Sequence, residues 1–597
     1  MSVTPSPPFH LEILEAELWP RVGCFCVCAG SRNSLILKSI DRFVQSRKSK
    51  PKVFTFFDER AASFFALGYA KSQRRSLGHK GNAESLKMAV VVTTSGTAVA
   101  EILPAIIEAH YSELPLIALT ADRPRRYRNS GAPQSIEQVN IFKNYITREF
   151  DVSASDGQTQ IKKIIQEIHA LDFQKSRIHL NLCFEDSELA LSNEEISQVL
   201  RISESAHIKK PHVGNFCYSL DLEEGFLKNL QKLNRPLVIF GPQAIPDEAL
   251  ARKNFFKFIE NLQAPIWMET QSNPRLPKSL EQLVLVSGER ILNRLGYGSV
   301  LRIGGVPTSR VWRDLEASSI SVLSVDEKKF SGLSQGRSMH FDVGSKEEFW
   351  KQMRVDDLGI RLNEEFLWPE LEIKEFLNLD KRLDQRVKDL LNQYPLSEPA
   401  WIHRISEGLS SYRKLFLGNS MVIREWDLFS SRRLAHNHRV ESNRGANGID
   451  GELSSFLGWV ESNKKSENSF AVLGDLTTLY DLSAPWVLDQ MTLPADLKII
   501  VINNGGGKIF SRLPSLKNVS PRTRQRLWEL NHEIRFENWA KLWSMNYVEL
   551  KTVNKFKSQL KSKTHKKLKK SAVEVWEILP DFQQTEDFWK HYGELFL

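Results

Sequence analysis

The sequence predicts an α/β protein made of three doubly wound parallel-sheet domains. Three observations predict it. Short continuous apolar runs recur along the chain and alternate with helix-length stretches, as strands buried on both faces by crossover helices do. The alternation falls into three blocks separated by polar or charged passages. The first and third blocks echo each other: Phe25–Cys28 runs into Gly30-Ser31 as Lys414–Leu417 runs into Gly418-Asn419-Ser420, and Val91–Thr94 runs into Ser95-Gly96-Thr97 as Ala471–Leu473 runs into Gly474-Asp475.

In chain order, residues 1–195 form the first domain, with strands at Val22–Cys28, Val53–Phe57, Met88–Thr93, Pro115–Thr120 and Ile178–Cys183. A central domain follows over 196–385, with strands at Pro236–Gly241, Ser299–Ile303 and Ile320–Val325. No Gly-x-Gly-x-x-Gly follows a strand there, so it has no dinucleotide fingerprint. Charged helical sequence from about 364 to 392 leads into the third domain, 386–597, with strands at Lys414–Leu417, Phe470–Leu473 and Ile499–Ile502 and a helix over 478–490.

With 41% hydrophobic and 26% charged residues, the 597-residue chain has the composition of a soluble globular protein. No apolar run is long enough to cross a bilayer, and Met1-Ser2-Val3-Thr4-Pro5 lacks the features of a signal peptide. Five cysteines cannot all pair, and Cys24, Cys26 and Cys28 alternate on one strand face, a poor arrangement for tetrahedral zinc. A reducing cytoplasm is the expected setting. The net charge of +9 is local: residues 551–570 hold nine lysines and no acid. With one aromatic, Phe556, and no arginine, that segment reads as a solvated basic helix, so neither a nucleic-acid partner nor membrane insertion is expected.

The chemistry is concentrated in Leu473-Gly474-Asp475-Leu476-Thr477 and Val501-Ile502-Asn503-Asn504-Gly505-Gly506-Gly507. Each lies at the end of an apolar run, so a carboxylate and a carboxamide 29 residues apart meet the carboxyl edge of one sheet. Hard cations such as Mg²⁺ select oxygen donors of this kind and keep positions open for phosphate oxygens. The glycines let the backbone approach a diphosphate and offer a carbonyl to the metal. A bland alternative makes Asp475 a helix cap and Asn504-Gly505 an ordinary turn.

Further motifs decide between these. They are Gly30-Ser31-Arg32, Asp58-Glu59-Arg60-Ala61-Ala62, Thr94-Ser95-Gly96-Thr97-Ala98, Leu119-Thr120-Ala121-Asp122-Arg123-Pro124, Gly131-Ala132-Pro133-Gln134, Gly418-Asn419-Ser420 through Arg424, Ser442-Asn443-Arg444-Gly445-Ala446-Asn447-Gly448-Ile449-Asp450-Gly451, and Lys508-Ile509-Phe510. In this order the set closely resembles the MenD family, the 2-succinyl-5-enolpyruvyl-6-hydroxy-3-cyclohexene-1-carboxylate synthases of menaquinone biosynthesis. The resemblance covers almost the whole chain and is thinnest in the central domain. It implies the thiamine-diphosphate (ThDP) enzyme architecture of pyrimidine-binding, central and diphosphate-binding domains. It also implies decarboxylation of 2-oxoglutarate and addition of the succinyl-semialdehyde carbanion to isochorismate.

The resemblance further implies ThDP with Mg²⁺ (Mn²⁺ as an alternative occupant) held by Asp475, Asn504 and the Gly506 carbonyl. Glu59 matches the glutamate at the pyrimidine, and Ile449 the apolar prop beneath the cofactor. Thr97, Gly418, Ser420, Leu476, Thr477, Ile509 and Phe510 fall at cofactor-binding positions. Both substrates carry carboxylates, which arginine grips in bidentate fashion. The matching positions place Ser420 and Arg424 at the distal carboxylate of the succinyl unit and Arg32, Arg123 and Gln134 near isochorismate. Arg444 lies inside a matching motif, and Arg310 aligns less securely with a basic residue of the family's central domain. A homo-oligomer, dimer or tetramer, is implied, with each site shared between chains.

Ala29, Pro133, Gly505 and Arg310 depart from the family pattern; of these Pro133 bears most on the second substrate. Two other readings stay open at this stage: another ThDP-dependent 2-oxoacid decarboxylase or carboligase, and a non-catalytic binding protein that uses the lysine segment.

Overall fold

The structure, a computed structural model, describes residues 13–46, 50–74, 87–153, 156, 158–173, 175–189, 220–272, 276–327, 330–334, 338–355, 366–431, 439–461, 467–494, 496–562 and 573–596. It contains three sheets, and the strand pairs within them are parallel.

The first sheet comprises β1 (Val22–Cys28), β2 (Lys52–Phe56), β3 (Met88–Thr93), β4 (Leu116–Asp122), β5 (Arg148–Ser153) and β6 (Arg177–Cys183), in the order β2-β1-β3-β4-β6-β5. The second comprises β7 (Pro236–Phe240), β8 (Ile266–Met268), β9 (Ser299–Ile303), β10 (Ser321–Asp326) and β11 (Ser338–Asp342), in the order β11-β10-β9-β7-β8. The third comprises β12 (Lys414–Leu417), β13 (Arg439–Glu441), β14 (Ser469–Gly474), β15 (Leu497–Ile502), β16 (Asn546–Leu550) and β17 (Val573–Ile578), in the order β13-β12-β14-β15-β17-β16. Position for position, the third sheet repeats the order of the first.

The central strands are buried along almost their whole length, which is why they read as continuous apolar runs: Met88–Thr93, Leu116–Asp122 and Leu497–Ile502 are buried throughout. Lys498 survives inside β15 because its ammonium is paired with Asp496 at 2.8 Å and Glu574 at 3.1 Å. Each sheet has its own apolar core.

The chain divides into two compact units. One holds the described residues within Met1–Gly214, Asn443–Lys465 and Tyr480–Leu493; the other holds those within Asn215–Ser442, Ser466–Leu479 and Pro494–Leu597. Two stretches of the third sequence block therefore pack in the unit of the first sheet. Helix Glu452–Glu461, every residue of it buried, lies against helix Glu59–Arg74 of that unit. Glycines allow the contact: a Cβ on Gly68 would stand 1.9 Å from the Ser455 carbonyl oxygen, and one on Gly458 1.9 Å from that of Phe65. The edge of β2 is covered by Trp486 and Gln490, whose side-chain N–H groups donate to the Thr55 carbonyl at 2.8 and 2.9 Å.

The single helix expected over 478–490 is instead an α-helix, Asp475–Tyr480, followed by a 3₁₀ segment, Ala484–Gln490. Pro485 explains the break, since it has no N–H to donate and its ring clashes with the carbonyl four residues back. The basic segment begins as a helix, Val553–Lys561, with Thr552 accepting from the Lys555 N–H and Phe556 buried; residues 563–570 lie outside the described residues. Cys24, Cys26, Cys28 and Cys183 are free and buried, with the Cys24 and Cys26 sulfurs 3.8 Å apart.

Candidate active site

The sequence-predicted residues divide between the two units. In the first, they stand on the loops that leave the carboxyl ends of the strands. After β1, Asn33 closes the turn, donating to the Cys28 carbonyl at 2.8 Å and accepting from the Gly30 N–H at 2.9 Å. The buried Arg32 guanidinium donates to the Phe184 carbonyl at 3.1 Å and to Asp186 at 2.8 Å. After β2, Asp58 caps helix Glu59–Arg74 by accepting from the Ala61 N–H at 3.0 Å, which makes Glu59 its first residue. Glu59 is half-buried, and burial, with Asp58 beside it, pushes its carboxyl above the usual range.

After β3, Gly96 has φ of +91°, and its N–H donates to Gln138 Oε1 at 3.0 Å, while Thr97 opens helix Thr97–Glu101 and is exposed. After β4, Arg123 Nε donates to the Pro133 carbonyl at 2.7 Å, so Arg123 and Gln134 belong to one loop. A buried polar network holds that loop. Gln138 donates to the Ala121 carbonyl at 3.1 Å and to Asn181 Oδ1 at 2.8 Å, Asn181 donates to Asp122 at 3.0 Å and Asp151 at 2.8 Å, and Arg128 bridges the same two aspartates. Asp122, Asp151 and Cys183 stand close enough together to resemble a metal cluster, but Arg128 already supplies the positive charge. The Arg444–Ile449 loop belongs to this unit too. Glu108 anchors it, accepting from the Gly445 and Ala446 N–H groups at 2.8 and 2.7 Å.

The second unit carries the carboxylate and the carboxamide. Asp475 stands at the end of β14, only 3% exposed, and Asn504 two residues past β15, the neighbouring strand. Asp475 Oδ2 accepts the Gly506 N–H at 2.8 Å, and Asp475 Oδ1 that of Leu476 at 2.6 Å. Asn504 Oδ1 is buried and has no hydrogen-bond partner among the described residues, whereas its Nδ2 donates to Glu398 at 2.9 Å. Gly506 has φ of +138°, and a Cβ there would lie 2.4 Å from the Glu529 carbonyl oxygen, so only glycine fits. A buried acid beside an orphaned carboxamide oxygen is a donor set that fits a hard cation. Leu476 and Phe510 flank Gly507, and Thr477 is buried in the helix that Asp475 starts.

At the end of β12, the Gly418 N–H donates to the Val472 carbonyl at 2.8 Å, and Ser420, with φ of +70°, leads into helix Met421–Phe429. Arg424 donates to the Ser420 carbonyl. Arg310, Arg424 and Ile509 line one cavity of about 510 Å³, together with Trp267, Arg512 and Tyr592. Glu289, another of its walls, accepts the Arg310 N–H at 2.7 Å and so fixes the start of the short helix Arg310–Asp314.

Sequence reasoning missed the residues that hold these groups in place: Glu108, Gln138, Asn181, Glu289, Glu398 and Glu425. Each has an ordinary identity in an ordinary run, and only burial and partners single it out. Glu398 and Glu425 form a buried carboxyl pair whose pKa values burial pushes up, Glu425 the further because it faces Glu398.

Comparison with known proteins gives this architecture its class. Residues 21–141 match the family described as thiamine pyrophosphate enzyme, N-terminal TPP binding domain. The fold is similar to that of a thiamine diphosphate-dependent 4-hydroxybenzoylformate decarboxylase from Rhodococcus jostii RHA1, with a TM-score of 0.63 over 96% of this chain and 99% of that one at 14% identity. The three sheets thus have the ThDP-enzyme fold. Among curated proteins the chain is 36% identical to the 2-succinyl-5-enolpyruvyl-6-hydroxy-3-cyclohexene-1-carboxylate synthase of Bdellovibrio bacteriovorus, over 98% of each chain. It is 32% identical to that of Akkermansia muciniphila, over 97% of this chain and 98% of the other. The chain belongs to the 2-succinyl-5-enolpyruvyl-6-hydroxy-3-cyclohexene-1-carboxylate synthase family.

Proposed function

We propose that the chain decarboxylates 2-oxoglutarate and joins the remaining four-carbon unit to isochorismate, giving 2-succinyl-5-enolpyruvyl-6-hydroxy-3-cyclohexene-1-carboxylate for menaquinone biosynthesis. Membership of the synthase family supports the reaction. The observation that carries the site is the Asp475–Gly506 contact beside the unpartnered Asn504 oxygen. When bound, ThDP supplies an electron sink for the carboxyl carbon's electrons and so makes the decarboxylation feasible.

The chain's own residues do the rest. Asp475, Asn504 and the Gly506 carbonyl hold Mg²⁺, or Mn²⁺ in its place, against the diphosphate. Glu59 donates to the cofactor's pyrimidine nitrogen and shares a proton with it; its raised proton affinity suits a carboxyl that carries that proton. Thr97, Gly418, Ser420, Leu476, Thr477, Ile509 and Phe510 surround the cofactor, and Ile449 props it. Arg424 and Ser420 orient the distal carboxylate of 2-oxoglutarate. Arg32, Arg123, Gln134 and Arg444 orient isochorismate, and Arg310 adds a cation from the side of the central sheet. Domains at 1–195, 196–385 and 386–597, a cytoplasmic location and a homo-oligomer complete the reading. Among the described residues no helix is long and apolar enough to cross a membrane.

Mass spectrometry of the products from isochorismate and 2-oxoglutarate, with ThDP and Mg²⁺, tests the reaction. The expected result is the succinylated cyclohexene product with release of carbon dioxide. Consumption of a different 2-oxoacid, with isochorismate untouched, would replace this reading with that of another ThDP-dependent decarboxylase or carboligase. The shared site is tested by mixing Glu59→Gln chains with Asp475→Ala chains. Two halves from different copies restore part of the activity; mixed oligomers that form and stay inactive count against the sharing.

A further inference from the structure

Asn503 and Asn504 are neighbours with opposite fates. Asn503 is spent within the fold: its Nδ2 donates to the Ile534 carbonyl at 2.9 Å and to Glu577 at 2.6 Å, and its Oδ1 accepts the Gly505 N–H at 3.2 Å. Asn504 uses only its nitrogen, leaving Oδ1 buried and unpartnered. A carboxamide can turn over by rotation about its last side-chain bond. The turned form would present N–H groups where the oxygen now stands, and N–H groups repel a cation. Something must therefore choose between the two.

We infer that Glu398 is the positioning residue that makes Asn504 a metal ligand, because its carboxylate accepts from Asn504 Nδ2 and thereby commits Oδ1 to the cation. This rests on the metal site proposed above. The Glu398 oxygen that faces Asn504 accepts, so it takes the N–H end of the amide and not its oxygen end. Glu398 is itself fixed at the first turn of helix Glu398–Gly408, whose cap, Ser397, accepts from the Ala400 N–H, and its own N–H donates to Thr585 Oγ1 at 3.0 Å. Asn504 thus donates onto Glu398, and among the described residues its Oδ1 is left as the free acceptor. Such outer-shell partners typically contribute 10–100-fold to metal affinity.

The test is Mn²⁺ binding to the ThDP-loaded protein, followed by electron paramagnetic resonance without turnover. Glu398→Leu fills the space but removes the acceptor, and Mn²⁺ affinity is expected to fall about 10–100-fold. Glu398→Gln keeps one acceptor oxygen and is expected to stay within about threefold of the unaltered protein. If the leucine variant does not fold, Glu398→Asp, which withdraws the acceptor by one methylene, is expected to show the same loss. Unchanged affinity in a folded leucine or aspartate variant overturns the assignment, as does a glutamine variant that binds as weakly as the leucine one. Asp475→Ala separates the two readings: if it binds Mn²⁺ normally, the metal site itself is wrong. If it loses Mn²⁺ while Glu398→Leu does not, only the positioning role falls.

Discussion

The first and third sheets share a strand order but not a chemistry. β3 and β14 occupy the same place in their sheets, as do β4 and β15. Where β3 runs into Thr94-Ser95-Gly96-Thr97, β14 ends in Gly474 and runs into Asp475; where β4 ends in Asp122 and Arg123 follows, Asn503 and Asn504 follow β15. In the first sheet Asp122 is consumed by Arg128, Asn181 and the Arg123 N–H, so its loop presents a guanidinium. In the third sheet Asp475 accepts from two backbone N–H groups, with His532 Nε2 3.3 Å from its Oδ2, and among the described residues Asn504 keeps an oxygen free, so its loops present oxygen donors. One scaffold yields a loop that presents a guanidinium or loops that present oxygen donors, according to what holds the strand-end acid.

The first expected effect breaks that contrast at its sharpest point. Asp475→Ala should remove thermal stabilisation by ThDP and Mg²⁺, worth about 2.7 kcal/mol at a hundred times Kd. Thr97→Ala, at the corresponding strand end of the first sheet, should retain most of it. Equal losses in a paired melting experiment would mean that the two ends do the same job. Glu59→Gln comes next. C2 proton exchange of bound ThDP should slow by roughly 10²–10⁴-fold while ThDP affinity changes little, as expected when a proton-handling group is lost; exchange at the unaltered rate removes the role.

How far the sequence foretold this contrast differs between scaffold and support. Buried strands announce themselves as apolar runs, so β1, β3, β9 and β12 lie at their expected bounds. β5, whose sequence is REFDVS, carries polar side chains into the loop network and so leaves no apolar run to see. Strand-end Asp475 and Asn504 were legible because their residue types are unusual after apolar strands. Glu398 and Glu108 were not, because an acid inside a helical run reads as a solvated face until burial is known. The move of helix Glu452–Glu461 into the first sheet's unit was equally hidden: Gly68 and Gly458 permit it, but a lone glycine in a helix does not name its partner.

A smaller effect separates the two arginine sites. Arg424→Lys should raise KM for 2-oxoglutarate by roughly tenfold, the loss of one charge-assisted hydrogen bond, with little change for isochorismate. Arg123→Lys should do the reverse. Steady-state kinetics with each substrate varied in turn reads both. If both variants shift the same KM, the division of cations between the sheets is wrong.

The last expected effect concerns Asp481, which joins the third sheet's sequence to the first sheet's unit. Its buried carboxylate accepts from the Ser454 N–H at 2.7 Å and the Ser454 hydroxyl at 2.9 Å, and burial pushes its pKa up to about 6 from 3.8. A raised acid binds its proton more tightly folded than unfolded, so between about pH 4 and 6 the folded state carries the extra proton. Its contribution to stability is therefore greatest below pH 4 and is lost as the pH rises through 6, by on the order of 2–3 kcal/mol. Asp481→Asn cannot titrate. It costs a hydrogen bond at every pH, but it also removes the slope, so the melting temperature of the variant should gain on the unaltered protein between pH 4.5 and 7. A difference in melting temperature that stays constant across that range would mean that Asp481 is as easily ionised folded as unfolded, and that Ser454 and its surroundings compensate the buried charge in full.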